Sequence, residues 1–163
     1  MGVRLMRRHG LDDWTLVFDR AKRRAGVCRH ATRSIGLSAP LTQLYREEEV
    51  RQTLLHEIAH ALAGPTHAHD AVWRGIARSI GSTAERCVPA DMPTVPAPWV
   101  GTCPAGHRVE RHRRPMRVQA CGRCSGTFAA EHVLVWTHHG RPAVMHPKYL
   151  RELHQLSRPV RLR

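Results

Sequence analysis

Hydrophobic positions change their period several times along this chain. Between residues 12 and 19, Trp14, Leu16 and Phe18 alternate with polar neighbours, the period-two signature of a strand. The polar run from Arg20 to Gly26 reads as a turn, and a second extended stretch follows from Val27 to Leu37. An antiparallel hairpin or meander is therefore expected, closed by Ser38-Ala39-Pro40. From Glu47 to Ala63 the period becomes helical. Val50, Leu54, Leu55, Ile58, Ala61 and Leu62 gather on one arc, His56 and His60 on another, and Glu57 falls on the border. The acidic run Glu47-Glu48-Glu49 suits the first turn of such a helix, and Gly64-Pro65 ends it. A second helix is predicted from Asp70 to Ile80, with Val72, Trp73, Ile76, Ala77 and Ile80 at core spacing and Gly81 as its C-cap.

Beyond this the pattern breaks. Pro89, Pro93, Pro96 and Pro98 make residues 88–98 a stiff, extended linker. Residues 99–137 are rich in Cys, His and Arg, with short extended segments, and read as a small separate module. A basic tail, 138–163, includes a short helix from Pro147 through Leu153. The pattern excludes repeats and gives an α+β fold, with a first domain over 1–87.

Composition narrows the class. At 163 residues and 42% hydrophobic content, the chain can bury a real core. Its apolar runs are too short for a membrane span, and residues 1–8 have neither the apolar region of a secretory signal nor the Ser or Thr at position 6 that myristoylation needs. The expectation is a soluble, cytoplasmic, monomeric protein. Net charge is +13 and unevenly spread: residues 100–163 carry 12 basic and 3 acidic side chains, net +9. That end is the better candidate for a polyanion partner. Five cysteines cannot all pair within one chain, and three of them cluster, which favours metal over disulfide.

The central motif is His56-Glu57-Ile58-Ala59-His60. Histidines at i and i+4 lie one above the other on a helix, so both can reach one zinc ion. Glu57 flanks them and can take a proton from water that the metal acidifies to a pKa of about 7. A third ligand must come from downstream, where His67, His69, Asp70 and Glu85 are candidates. The spacing from His60 through Gly64 to His67 is one residue too long for the metzincin form, and Glu85 is the one residue suited to a thermolysin-like arrangement.

The motif, followed by His69-x-x-x-Trp73 at the start of a helix, resembles the SprT-like zinc metallopeptidases, which include bacterial SprT and eukaryotic Spartan. Trp14-x-x-x-Phe18, the basic turn and Ile35-Gly36-Leu37-Ser38 resemble the strands that precede that family's active-site helix. The resemblance implies a zincin-like minimal metallopeptidase domain, with His69 as third ligand. Asp70 departs from the glycine that often follows this histidine in the family.

A second constellation is Cys103-x3-His107 followed by Cys121-x2-Cys124. Two short knuckles joined by a hairpin-length insert suit a closed tetrahedral zinc site, which supplies folding energy that a module of this size lacks. His112 is the alternative to His107. SprT-like proteins similarly end in a zinc ribbon bearing basic residues, although their Cys-x-Cys first knuckle is absent here. Arg108, Arg111, Arg113, Arg114 and Arg117 crowd the insert and could track phosphates. Trp99, Phe128 and Trp136 are either stacking partners for bases or core residues. Cys28 and Cys87 read as buried thiols.

Two zinc ions are expected, one catalytic and one structural. The resemblance implies an endopeptidase acting on DNA-associated or DNA-crosslinked proteins, with single-stranded or junction-containing DNA as partner and a nucleoid location. The rivals are a non-enzymatic zinc protein that binds nucleic acid, and a peptidase indifferent to DNA.

Overall fold

In the computed structural model, described for residues 1–85 and 91–156, the chain forms two compact units, Met1–Val95 and Pro96–Arg163. The division falls between Val95 and Pro96, and residues 88–90 of the predicted linker and the predicted thiol Cys87 lie outside the described residues.

Three strands form the sheet of the first unit: β1 (Thr15–Asp19), β2 (Gly26–Arg29) and β3 (Ser34–Ser38). Their order is β1-β3-β2. β2 pairs antiparallel with β3, but β1 pairs with β3 in parallel, Leu16 opposite Ile35. The expected meander is thus corrected in two ways. The stretch from Val27 to Leu37 is broken by a 3-10 turn over His30–Thr32 and by Arg33 in the left-handed region at φ 44°. β3 then takes the centre because Ser34-Ile35-Gly36-Leu37-Ser38 carries no charge and is buried throughout, whereas β1 and β2 carry Asp19 and Arg29. Asp19 accepts hydrogen bonds from Arg24 (2.6 Å) and Arg29 (3.2 Å), which ties the sheet margin to the basic turn. Phe18 shares the alternation of Trp14 and Leu16 but lies 60% exposed on the edge strand, while those two pack into the core.

Helices complete the unit. α1 (Gly2–Arg8), which periodicity did not predict, buries Met6 against Leu11, Ile35, Leu54 and Ile58. α2 (Ala39–Leu44) is capped by the buried Ser38, whose hydroxyl accepts from the Leu41 amide and donates to the Ala21 carbonyl. α3 runs from Glu47 to Ala63 with the predicted bounds, and Glu49 reaches back to accept from the Arg46 amide at 2.7 Å. Gly64 ends it at φ 88°, where a side chain would be strained. α4 (Ala71–Ser79) packs on α3 through Trp73 and Ala77. Its C-cap is Ile80, with Gly81 the residue beyond, and Val72 is 48% exposed rather than core.

The second unit is built on strands β4 (Trp99–Thr102), β5 (Arg108–Arg111), β6 (Val135–His138) and β7 (Arg141–Pro142), ordered β5-β4-β6-β7 and antiparallel throughout. Its core joins Trp99, Cys103, Val118, Cys121, Leu134, Trp136 and Tyr149. Tyr149 comes from α5 (Pro147–Leu156), so this unit extends well past residue 137. Glu152 on the same helix fastens it by accepting from the Arg117 side chain and the Val118 amide.

Candidate metal and catalytic site

One turn of α3 separates His56 from His60, and the segment after Gly64 returns the chain so that His69 faces both. The Nε2 atom of His69 lies 3.1 Å from that of His56 and 3.2 Å from that of His60. One shared proton can satisfy only one of these contacts, since the other then sets lone pair against lone pair. A cation satisfies all three. Ligands about 2.0–2.1 Å from a tetrahedral zinc stand about 3.4 Å apart, close to what is seen. The donor set and its spacing therefore fit zinc.

The surroundings hold the three rings in place. Trp73, fully buried, lies against all of them, with ring centroids 4.7, 5.2 and 4.6 Å from His56, His60 and His69. His56 also hydrogen-bonds the backbone of Glu85, and His60 that of His67. Such backbone partners fix ring orientation and tautomer. Burial, followed by the neighbouring histidines, lowers the His56 pKa to about 4 and that of His60 below its usual value. Both rings are therefore neutral and ready to ligate at neutral pH.

Among the alternatives for the third ligand, the described geometry brings in His69 alone. The ring of His67 instead pairs with Asp70 (Nδ1 to Oδ2, 2.7 Å). Asp70 has a second task, accepting from the Trp73 amide at 3.0 Å as the N-cap of α4. Asp70 thus caps the helix that carries Trp73. Glu85 contributes its backbone and lines the cleft beside His56 without joining the cluster.

Glu57 is the one charged side chain of α3 in the buried class, 7% exposed. Burial raises its pKa to about 7, against the opposing pull of the Cys28 backbone and of Arg24 and Arg29. A cleft of about 340 Å³ opens onto Glu57 and His56 and is walled by Arg24, Gly26, Thr53 and Met92. Gly26 went unremarked in the sequence because it looked like the end of a turn. Cys28, half-buried rather than buried, has its thiol pushed up to about 12 by burial and then by Glu57, so it is not a reactive thiol.

In the second unit, Cys103, His107, Cys121 and Cys124 converge. Cys103 and Cys124 sulfurs are 3.8 Å apart, and the Nδ1 atom of His107 is 3.6, 3.2 and 3.5 Å from the sulfurs of Cys103, Cys124 and Cys121. Sulfurs about 2.3 Å from a tetrahedral zinc would be about 3.8 Å apart. His112 stays outside the cluster, its Nδ1 atom buried with no hydrogen-bond partner among the described residues. Trp99 and Trp136 are core residues, whereas Phe128 is 52% exposed. Of the insert arginines, Arg117 is engaged by Glu152 and Arg114 lies over Trp99, 5.4 Å from the ring centroid.

The profile of the SprT-like family matches residues 5–93, more than half of the chain and the whole of the three-histidine site. The chain belongs to the SprT-like family. Its family is metallopeptidase-like in character, in keeping with a first unit that could hold a metal on three histidines. No curated protein and no solved structure matches the chain. Among the described residues no helix is long and apolar enough to cross a membrane.

Two outcomes are expected. His69→Ala should remove one bound zinc and leave the other, while His67→Ala should keep both; metal analysis of the purified variants reads this directly. The raised pKa of Glu57 also has a stability consequence. A folded carboxyl titrating near 7 rather than 4.5 favours the fold fully below pH 4.5, and this contribution is lost as pH rises through 7. Glu57→Gln should therefore raise the melting temperature of metal-free protein by several degrees at pH 8 and change it little at pH 4.5.

Proposed function

We propose that this chain is a zinc-dependent endopeptidase of SprT-like type that acts on DNA-associated or DNA-crosslinked proteins. The observation that carries the peptidase reading is the pairing of a three-histidine donor set with a buried, proton-accepting carboxyl at the mouth of one cleft. Zinc held by His56, His60 and His69 would supply Lewis-acid polarisation of a peptide carbonyl and acidify water.

Glu57 does the proton work. Its carboxylate accepts a proton from the attacking water and delivers it to the amide nitrogen that leaves. A pKa near neutrality suits both halves of that transfer, because the group must release what it takes. The wall of the cleft at Arg24 through Gly26 comes from the turn and edge strand of the sheet. His56, His60 and His69 are the proposed catalytic ligands; Cys103, His107, Cys121 and Cys124 hold the structural zinc.

Nucleic acid is the proposed partner of the second unit. Support comes from its net +9 and from Arg108, Arg111, Arg113 and Arg114, all exposed near the outer strand β5 and the segment after it. Guanidinium groups on a metal-held hairpin can follow phosphates without reading sequence. Arg117, tied to Glu152, contributes less than the others.

Digestion of casein and of histones, with and without single- or double-stranded DNA, tests the reading. Glu57→Gln should keep two zinc ions and lose at least about 100-fold in turnover, the scale expected of a general base. Wild-type turnover in that variant would remove Glu57 from the mechanism. DNA binding should weaken steeply with salt, and replacing Arg108, Arg113 and Arg114 together by Ala should flatten that dependence by about three phosphate contacts. Binding indifferent to salt would leave a peptidase without a DNA partner.

A further inference from the structure

Gly26 opens β2, the strand of the first sheet that faces α3. Its φ lies outside the left-handed region, so its backbone is one that any residue adopts. Space is what singles it out. A Cβ placed there would lie 2.7 Å from Cγ of Glu57, 2.7 Å from Oε1 and 3.0 Å from Cδ, with all three nearest atoms belonging to that one side chain. Separations below 3.0 Å are not tolerated, and here the crowded atoms include Cγ in the middle of the side chain as well as its tip. The carboxyl is also anchored where it lies. Glu57 is 7% exposed and hydrogen-bonds the Cys28 backbone two residues further along the same strand.

We propose that Gly26 is a positioning residue, whose missing side chain forms the slot that holds the Glu57 carboxyl at the mouth of the cleft beside His56. This inference rests on the reading of Glu57 as the proton acceptor, and it adds where the carboxyl's precision comes from. The strand edge supplies a wall on one side and an amide anchor on the other. A methyl group at residue 26 pushes the carboxyl out of the slot, and the three atoms nearest to it all belong to Glu57 rather than to the imidazoles. A displacement of about 1 Å in a group that moves a proton costs up to about 100-fold in rate.

The test compares Gly26→Ala with wild type in zinc-loaded protein, and again in a Glu57→Ala background, where the obstructing atoms are gone. Gly26→Ala should lower kcat by about 10- to 100-fold, with KM within about twofold and both zinc ions retained. Its melting temperature should fall in the Glu57 background and hold in the Glu57→Ala background. A wild-type kcat, or an equal loss of stability in both backgrounds, overturns the slot and assigns Gly26 to folding alone. Should Gly26→Ala fail to fold, recovery of the fold in the double variant upholds the clash, and its absence overturns it. Failure of the peptidase reading looks different: wild type is then inactive, or Glu57→Gln is active, while the two-background melting comparison still reports on the slot.

Discussion

Three imidazole nitrogens meet at one point in this fold, and most of the first unit exists to bring them there. Neutral lone pairs repel at 3.1–3.2 Å unless a cation stands between them. The arrangement therefore has to be imposed by surrounding structure. α3 supplies two ligands through its own period, at no cost beyond forming the helix. The third requires the chain to reverse after Gly64 and stop one residue before α4. Asp70 makes that stop definite by capping α4, and the cap fixes Trp73 beneath all three rings. Ligand geometry and helix packing are thus one problem solved by the same few residues.

Burial of Glu57 is the second strain in the unit. A carboxyl among apolar neighbours is costly when ionised, and the structure offsets this only in part, through the Cys28 backbone and the more distant Arg24 and Arg29. Those arginines are themselves held by Asp19, which joins the two outer strands across β3. Close to the midpoint of its titration at neutral pH, the group both accepts and returns a proton readily. The same desolvation that weakens the fold at high pH would suit the carboxyl to the proposed proton transfer.

The second unit solves a different problem. Its strands are short and its core is a handful of side chains, of which Cys103 and Cys121 also belong to the cluster that could hold a metal. Candidate donors and hydrophobic packing are therefore interleaved in one small interior, so an ion held there would brace the core directly. Tyr149 closes that interior from α5 and donates to the Leu134 carbonyl. With packing carried inside, the arginines are left to the surface.

Much of the site could be read from the sequence, because its signals are local. The i, i+4 histidines, the bounds of α3, the Gly64-Pro65 stop and the two cysteine knuckles are all set by spacing within a few residues, and helix geometry converts that spacing into position without help. His69 over His67 was indicated by resemblance and by its place at the start of the second helix, and the tertiary structure adds that Asp70 occupies the ring of His67 and caps α4 at once. Strand order likewise was not legible, since a period-two pattern marks a strand but says nothing of which neighbour it takes; the burial of every β3 residue decided that. α1 went unseen because seven residues give too short a window for a period. Gly26 was invisible for the plainest reason. A glycine read alone signals freedom of the backbone, whereas this one matters for the space that Glu57, thirty-one positions later, fills beside it.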